Sequence, residues 1–343
     1  MKRYLQTLAF FVLMMTFLPL ILSSAMNRGA ESTISQESEK MTEESLELSK
    51  PTVTEPDDEF TVFVTSTGET ITLDLELLTA RVLYAEMPAS FELEALKAQA
   101  VVIRSYIIYS SIHPQDNNPH PNADICTDYT HCVAYRTYED AVEAYGVVTA
   151  DDTYCVMLEA VAATKGEYIT YESEPINAVH HGASVGRTES CKNIWGADIP
   201  YLQSVETPEA ADEFMEKKSF LPSELKILLE PLNVEFTYNP SDWVGEITRN
   251  SSGRVDTIDI CGTLVSGKQL RSLLSLRSTD LQIEFVNGYF VVTTVGYGHG
   301  VGLSQYGANL LAKNGADYYT ILAHYYPNTA VVSPTGSIMS PTA

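Results

Sequence analysis

Three glutamates lie in the stretch YAEMPASFELEALKAQAVVIRSY, residues 84–106, and each is a candidate for proton transfer. Glu92 and Glu94 fall in the first turn of a predicted helix, where the helix dipole is enough to favour a carboxylate. Glu86 precedes Pro88 and lies on the predicted loop that enters this helix, directly after the apolar run LLTARVLYA. Packing of that run would partly bury Glu86, and burial raises the pKa of a carboxyl group until it can donate a proton near neutral pH. We therefore single out Glu86 as the candidate acid.

Two basic residues, Lys97 and Arg104, belong to the same predicted helix. Because they are seven residues apart, they share one helical face. That face could bind an anion or a polar glycan. The alternative is an ordinary solvated face, which needs no ligand.

Imidazoles and thiols are concentrated in the stretch HPNADICTDYTHC, residues 120–132. Thiolate and imidazole are the usual tetrahedral ligands of zinc, and four protein ligands would make a structural site with no open position. Two alternatives stay open, a Cys126–Cys132 disulfide and a pair of free thiols. The predicted zinc ligands are His120, Cys126, His131 and Cys132. Cys155, Cys191 and Cys261 have no histidine at ligand spacing and are interpreted as small buried residues.

The stretch HHGASVGRTES, residues 180–190, contains a G-x-S-x-G match centred on Ser184. In α/β-hydrolases this pattern marks a strand, a sharp turn and a helix that expose a nucleophilic serine. No apolar helical period follows here, so we interpret the stretch as a polar loop over a cleft. A serine peptidase or amidase that pairs Ser184 with His299 or His324 is kept as an alternative. The polar side chains of the loop are His180, His181, Ser184, Arg187 and Thr188.

Four glycines alternate with other residues in GYGHGVGLSQYGANLLA, residues 296–312. Glycine lets a backbone approach a ligand closely, and the Gly-Lys-Ser/Thr that closes a phosphate-binding loop is missing. We interpret the segment as a substrate-facing loop, with a tight structural turn as the alternative. Its polar side chains are His299, Gln305 and Tyr306.

Turn signals and hydrophobic periodicity predict the elements that carry these residues. Residues 60–76 predict a hairpin, and residues 281–295 predict another about Asn287–Gly288. Residues 93–112 predict a helix with one apolar stripe, capped by Ser90. The segment 140–150 predicts a helix that is stopped by Gly146. Residues 153–172 predict strands with a turn at Lys165–Gly166, and residues 251–276 predict a hairpin followed by a helix. Because strands come mostly as hairpins, antiparallel pairing is favoured.

The first 25 residues differ from the rest of the chain. Lys2 and Arg3 precede an almost uncharged apolar run from Leu5 to Leu22. Such a run can span a bilayer, and the basic residues before it keep the N-terminus in the cytoplasm. We predict an uncleaved single-pass anchor. A removed signal peptide is the alternative, because SSA at 23–25 resembles a cleavage site.

Residues 26–60 carry ten acidic residues against three basic ones and are rich in Ser and Thr. This composition cannot bury enough apolar surface to offset chain entropy, so we predict a disordered tether. The predicted organisation is an anchor over 1–25, the tether over 26–60, a folded domain over 61–335 and a flexible tail over 336–343. The predicted fold class is α+β, with antiparallel hairpins and helices in two lobes about a central cleft, after an N-terminal transmembrane helix.

The composition excludes some classes of partner. The apolar fraction of 45% supports a folded core. The formal net charge of −24 is opposite to what a nucleic-acid-binding protein needs, and it argues against a polybasic patch on anionic lipids. No nucleic-acid partner is expected.

Four ordered blocks, EMPASFELEALKAQAVVIRSY, HHGASVGRTES, WGADIPYLQSV and GYGHGVGLSQYGANLLAKNG, resemble the stage II sporulation protein D family of endospore-forming bacteria. The resemblance covers residues 70–330 and extends to wider relatives of the amidase-enhancer type. The His/Cys cluster resembles the zinc site of clostridial members. The family's HSTSGGRT block differs here, because Gly182, Ala183 and Val185 depart from it.

The resemblance implies a lytic transglycosylase that cleaves the β-1,4 bond between N-acetylmuramic acid and N-acetylglucosamine in peptidoglycan and leaves 1,6-anhydro ends. The catalytic glutamate of the family's E-M-P motif falls on Glu86. One carboxylate is enough, since it can protonate the leaving oxygen and then accept the proton of the attacking C6 hydroxyl. The substrate-binding candidates in the matching blocks are Lys97, Arg104, Tyr106, His181, Ser184, Arg187, Tyr201, His299, Gln305 and Tyr306.

The resemblance also implies partners and a place in the cell. Glycan strands whose stem peptides have been removed are the expected substrate. An amidase–endopeptidase and a multi-pass membrane protein of the engulfment machinery are the expected protein partners. The expected location is the mother-cell membrane at the sporulation septum, with the enzyme domain outside the cytoplasm. The alternative function is a non-catalytic peptidoglycan-binding protein that activates an amidase.

Overall fold

A computed structural model of the chain describes residues 59–113, 120 and 122–334, together with the backbone of 338–339. The predicted anchor, all but the last two residues of the tether and most of the tail lie outside the described residues. Residues 58–343 form one compact unit.

The predicted transmembrane helix is corrected. Across the described residues no helix is long and apolar enough to cross a bilayer. The longest described helix, Leu93–Ile112, carries Glu94, Lys97 and Arg104 and is packed inside the protein. The predicted single-pass membrane location is corrected with it, and the segment on which both predictions rested, residues 1–25, lies outside the described residues.

The helices and strands belong to a mixed fold with several small sheets. The helices are α1 Leu75–Glu86, α2 Leu93–Ile112, α3 Tyr138–Tyr145, α4 Val147–Ala163, α5 Cys191–Trp195, α6 Pro222–Leu228, α7 Gly267–Leu273, α8 Gln305–Lys313 and α9 Tyr318–Tyr325. The strands are β1 Glu59–Val64, β2 Glu69–Asp74, β3 Ile125–Cys126, β4 Tyr168–Tyr171, β5 Glu174–Pro175, β6 His180–His181, β7 Gly186–Arg187, β8 Glu206–Thr207, β9 Met215–Phe220, β10 Val244–Arg249, β11 Val255–Ile260, β12 Thr263–Ser266, β13 Leu281–Val286, β14 Tyr289–Val295, β15 Leu303–Ser304, β16 Ala330–Val332 and β17 Ile338–Met339.

Most of the strand pairs are antiparallel, and two are parallel. The antiparallel sheets have the orders β10-β11-β12, β13-β14-β9, β17-β16-β4-β5 and β7-β8. The sheet β2-β1-β3 joins an antiparallel hairpin to a parallel strand, and β6 pairs in parallel with β15. The second parallel pair positions the candidate site described below.

Two hydrophobic cores lie within the compact unit. The first is built from residues 60–202 and 301–331 and has α2 at its centre. The second is built from residues 225–292, and Trp243 and Phe290 stack in it with ring centroids 5.2 Å apart. The second core is therefore formed by a segment that lies between two parts of the first core in the sequence.

The central helix α2 has the predicted bounds but not the predicted environment. It packs against α1, α4, α8, α9 and β4, so it is buried on nearly all sides rather than along one stripe. The predicted Ser90 cap is wrong, since the N-cap residue is Glu92 and its side chain makes no capping bond. Instead, the amide oxygen of Asn309 in α8 accepts a hydrogen bond from the Glu92 N–H at 2.8 Å. A tertiary contact supplies the partner that the helix end needs.

The other predicted elements divide into confirmed and wrong ones. The three hairpins and the helix end at Gly146 are confirmed. The strands predicted over 153–172 are wrong for most of that range, because α4 continues to Ala163 and only Tyr168–Tyr171 is a strand.

Candidate active site

Glu86 is the last residue of α1, so the prediction that it lies on a loop is wrong. Its side chain is 18% exposed. The Ala134 N–H donates to Oε1 at 3.0 Å, and the Gln305 side-chain amide donates to Oε2 at 3.1 Å. The His180 Nε2 lies 3.3 Å from the same Oε2. Three separate parts of the chain therefore meet on one carboxylate.

The surroundings of Glu86 stabilise its ionised form. Burial acts to raise the pKa of Glu86, but the charge of His180 and the hydrogen bonds from His180, Ala134 and Gln305 together lower it to about 2. The expectation of a raised pKa is therefore wrong in sign. The Glu86 carboxylate is therefore ionised at neutral pH, and its low pKa makes it a weak base that holds a proton only after its surroundings change.

The parallel pair of β6 and β15 places His180 and Gln305 side by side. His180 pairs with Leu303, and His181 pairs with Ser304. Gln305 follows directly as the first residue of α8, whose N-cap is Ser304. Both side chains consequently reach the same oxygen of Glu86.

The glycines of residues 296–302 let this segment pack against the protein itself. A Cβ atom on Gly302 would lie 1.9 Å from the Val179 carbonyl oxygen, and one on Gly298 would lie 2.8 Å from the His181 Cβ. Both glycines have positive φ values, 72° and 105°. The expected close approach is present, but its partner is the segment that contains β6 and not a ligand.

His181 and Ser184 point into the interior behind Glu86. The His181 Nδ1 lies 3.1 Å from the Val301 carbonyl oxygen, and its Nε2 lies 2.6 Å from the Ser184 hydroxyl. Arg254 donates to the same hydroxyl at 2.9 Å. Burial and the charges of His299 and Arg254 hold the pKa of His181 well below its usual range. Ser184 is fully buried, so this serine–histidine pair is closed to a substrate and does not resemble an exposed nucleophile elbow.

Lys97 and Arg104 do not form a shared binding face. Arg104 is fully buried, and its guanidinium binds Glu76 at 2.6 Å and also the Val161 carbonyl at 2.8 Å. Lys97 pairs with Glu94 at 2.7 Å. Both cations are engaged within the protein.

Four other candidates lie at different places. Arg187 donates to the Ser204 hydroxyl and carbonyl oxygen, each at 3.2 Å. Tyr201 packs against Tyr171 with ring centroids 5.5 Å apart. Tyr306 follows Gln305 directly, and its ring packs edge-on against Phe91 and Phe214 with ring centroids 4.9 Å apart in each case. The His299 imidazole faces His181 and Trp195, and burial together with the charges of His180 and Arg271 lowers its pKa to about 3.

The His/Cys cluster forms a second site close to the first. Its four candidate ligand atoms all lie within 4.8 Å of one another. Sulfur–nitrogen distances are 3.2 Å for Cys132–His120, 3.1 Å for Cys132–His131 and 3.7 Å for Cys126–His131. Ligands on a tetrahedral zinc lie about 3.3–3.8 Å apart, so the set is close to that geometry. The two cysteines are not joined by a disulfide.

Neighbouring groups support metal binding by this cluster. The His120 Nδ1 lies 3.0 Å from the Ala123 carbonyl oxygen, which leaves Nε2 for a metal ion. The Tyr106 hydroxyl is hydrogen-bonded to Cys132. Burial is the largest cause that raises the pKa of Tyr106, and the interaction with Cys132 raises it further. Tyr106 therefore belongs to this cluster and not to the surroundings of Glu86. The cluster could hold a metal ion, and Ala134, two residues after Cys132, links it to Glu86.

Two residues of this region were missed as substrate-binding candidates. His180 contacts Glu86, but its neighbour His181 was the predicted candidate from the same doublet. Trp195 is 49% exposed and contacts His299 at 5.2 Å between ring centroids. Because adjacent residues of a strand point to opposite sides, only the strand pairing distinguishes His180 from His181.

Comparisons with known proteins find sporulation proteins among the relatives of this chain. The family model described as stage II sporulation protein matches residues 65–171. Stage II sporulation protein D of Bacillus amyloliquefaciens is 33% identical over 280 residues, which is 81% of this chain and 79% of that protein. Stage II sporulation protein D of Bacillus subtilis (strain 168) is 31% identical over 337 residues, 96% of each chain. The amidase enhancer of Bacillus subtilis (strain 168) is 24% identical over 309 residues, 72% of this chain and 39% of that protein.

These matches place the chain among the sporulation proteins. The chain belongs to the stage II sporulation protein D family, as its resemblance predicts.

Proposed function

We propose that the protein is a lytic transglycosylase that cleaves the β-1,4 bond between N-acetylmuramic acid and N-acetylglucosamine in peptidoglycan. The observation that carries the proposal is the Glu86 carboxylate, partly exposed and surrounded by Ala134, Gln305 and His180. A carboxylate beside an imidazole that can carry a proton suits a reaction whose nucleophile belongs to the substrate.

The reaction needs a proton at its start and a base at its end. Glu86 donates a proton to the glycosidic oxygen as the bond from this oxygen to C1 of muramic acid breaks. The C6 hydroxyl of the same sugar then attacks C1, and its proton passes to Glu86. The products are a shorter strand and a 1,6-anhydro end, and Glu86 returns protonated.

His180 supplies the first proton in this proposal. When His180 is protonated it forms an ion pair with Glu86, with 3.3 Å between Oε2 and Nε2. A bound sugar excludes water, and desolvation disfavours an ion pair relative to two neutral partners. The proton moves from Nε2 to Oε2, and Glu86 becomes an acid only when substrate covers it.

Zinc is proposed for the metal cluster, bound by His120, Cys126, His131 and Cys132. With four side chains as ligands, the ion would have a structural role and no step of the reaction would pass through it. It would fix the segment that brings the Ala134 N–H to Glu86.

The partners follow from the same proposal. The substrate is a peptidoglycan glycan strand from which stem peptides have been removed, and an amidase–endopeptidase would prepare it. A multi-pass membrane protein of the engulfment machinery is a further proposed partner. All of this would serve septal wall remodelling and engulfment during sporulation.

A non-catalytic role is the second candidate. Its support is the amidase enhancer among the relatives, at 24% identity. As an amidase activator, the protein would bind glycan strands without cleaving them.

The experiment is to incubate the purified full-length protein with glycan strands and to analyse the products by mass spectrometry. We expect 1,6-anhydro ends from the wild type and a loss of at least about 100-fold in their rate of release from Glu86→Gln, since general acid–base catalysis contributes this much. Glu92→Gln is the matched control, because Glu92 is exposed six residues away. Equal rates for wild type and Glu86→Gln would remove Glu86 from the mechanism. Binding without cleavage by the wild type would favour the activator.

A further inference from the structure

An aromatic surface borders the Glu86 site on the side of His299. The His299 side chain is hydrogen-bonded to the backbone of His180, which itself contacts Glu86. The Trp195 ring lies on His299 with 5.2 Å between ring centroids, and it remains 49% exposed. An exposed indole ring can stack on the apolar face of a sugar. Trp195 is therefore linked to Glu86 through the His299 side chain and His180.

Two cations of helix α7 converge on the same surface. Lys268 and Arg271 are three residues apart and share one face of the helix. The Lys268 ammonium group donates to the carbonyl of Ile194, the residue before Trp195, at 2.8 Å. The charge of Arg271 is close enough to His299 to contribute to the lowering of its pKa.

Neither cation has an acidic partner among the described residues. The guanidinium of Arg271 makes one described hydrogen bond, from Nε to the Leu276 carbonyl at 3.3 Å. No described carboxylate forms an ion pair with Lys268 or Arg271. The nearby acids are already engaged, Asp198 with Lys192 at 3.6 Å and Glu216 with Arg277 at 3.0 Å.

This local excess of positive charge is unusual for the molecule. The chain carries a formal net charge of −24, so it has many carboxylates with which a cation could form an ion pair. Arg271 is partly buried beside Tyr297 and His299, where burial lowers its pKa by disfavouring the charged form. A partly desolvated guanidinium without a counter-ion is a good partner for a carboxylate supplied by a ligand.

We infer that Trp195, Lys268 and Arg271 form a subsite for an acidic sugar of the glycan strand, with the sugar face on Trp195 and its carboxylate on the two cations. In the proposed substrate only muramic acid carries such a group, the lactyl carboxylate, and this group is free only where the stem peptide has been removed. The subsite rests on the proposed function for the identity of the strand. It explains by charge how the protein would distinguish bare strands from peptide-bearing ones.

The test measures binding by calorimetry in the Glu86→Gln full-length protein, so that no cleavage interferes. The acidic probe is a tetrasaccharide of alternating N-acetylglucosamine and N-acetylmuramic acid with free lactyl carboxylates. The neutral probe is the tetramer of N-acetylglucosamine. We expect the acidic probe to bind about tenfold more tightly at low salt, because a charge-assisted contact contributes about this factor. This preference should decrease at high salt.

Single substitutions separate the two parts of the subsite. Arg271→Gln and Lys268→Gln should reduce the preference without weakening the neutral probe. Trp195→Ala should weaken both probes by about tenfold, while Trp195→Phe should keep most of the affinity because a stacking face remains. Lys165→Gln is the charge control, since it removes one positive charge in the exposed turn before β4. Tyr238→Ala is the aromatic control, as Tyr238 is fully exposed in the second core's segment.

Equal affinity for the two probes, or an unchanged preference in Arg271→Gln and Lys268→Gln, would overturn the subsite. Release of anhydro ends by the wild type would still stand in that case. Conversely, a clear preference without any release of anhydro ends would keep the subsite and reject the transglycosylase.

Discussion

Glu86 receives its three hydrogen bonds from a loop amide, a helix side chain and a strand side chain, all far from it in the sequence. Each donor stabilises the carboxylate, and together they outweigh the effect of burial on its pKa. A carboxylate arranged in this way stays ionised and is a weak base. In the proposed reaction its acid function would depend on His180, so the pair rather than Glu86 alone would be the catalytic unit.

Arg104 has a structural role that its sequence position conceals. Its guanidinium joins α2 to Glu76 of α1 and to Thr164 and Val161 at the end of α4. We expect Arg104→Met to lower the free energy of unfolding by about 3 kcal/mol, because it leaves a partly buried carboxylate unpaired. Urea denaturation of the full-length protein would measure this.

Lys97→Met is the comparison for this prediction. Its pair with Glu94 is partly exposed, so we expect a loss below about 1 kcal/mol. If Arg104→Met keeps full stability and instead loses affinity for glycan strands, Arg104 belongs to the binding surface after all.

At the residue scale the sequence singles out Glu86 but not the residues that surround it. Glu86 stands out because a helix dipole explains Glu92 and Glu94 and not Glu86. His180 cannot be distinguished from His181 without the register of β6 against β15. The sign of the Glu86 pKa shift likewise depends on donors that only the tertiary structure brings together.

At the scale of elements, turn residues and hydrophobic periodicity predict those helices and strands whose bounds depend on nearby residues. The hairpin at Asn287–Gly288 and the bounds of α2 are correct because turn residues and periodicity determine them. The strand prediction for part of α4 is wrong because residues 153–161 contain Thr, Tyr and Val, which are enriched in strands. Packing of α4 against α1, α2 and α3 stabilises the helical conformation and overrides the local preference.

The loop from β3 to Ala134 offers a prediction about an element. Strand β3 has only two residues, and it pairs with β1 through Ile125 and Cys126. With so few hydrogen bonds, the segment would depend on a bound zinc ion for its order. We expect a strong chelator to lower the thermal midpoint by at least about 5 °C and to reduce turnover without abolishing it, since the ion would take no part in the chemistry.

Metal analysis of the purified protein would accompany this measurement. We expect about one zinc per chain, and none in Cys126→Ser, as thiolate ligands dominate the affinity. A wild-type protein that contains no metal and has the same thermal midpoint with and without chelator would contradict the prediction. Cys155→Ser is the matched control, because Cys155 is exposed on α4 outside the cluster.

At the scale of the whole molecule, a fall in pH has two opposing effects on the stability of the fold. A net charge of −24 at neutral pH means that protonation of carboxylates on acidification relieves repulsion. Against this, His181 and His299 are buried and neutral, and their pKa values lie below the ordinary value, that of His299 at about 3. The unfolded chain binds protons at these histidines below pH about 6.5, whereas the folded protein does not.

This difference in proton binding lowers the free energy of unfolding as the pH falls. A histidine with a depressed pKa in the folded state contributes stability above its unfolded pKa, and that contribution is lost as the pH falls towards the folded pKa. For His299 the window runs from about 6.5 down to about 3. The free energy of unfolding of the wild type, relative to His299→Gln, should therefore fall by about 1.4 kcal/mol per pH unit between pH 6 and pH 4. The subtraction removes the effect of net charge, which both proteins share. Urea denaturation across this range would measure the slope, and His299→Asn should reproduce it if titration rather than packing is responsible. A difference that is independent of pH would mean that His299 is protonated in the folded protein, and the closed arrangement of His299 between His181 and Trp195 would then not describe the molecule in solution.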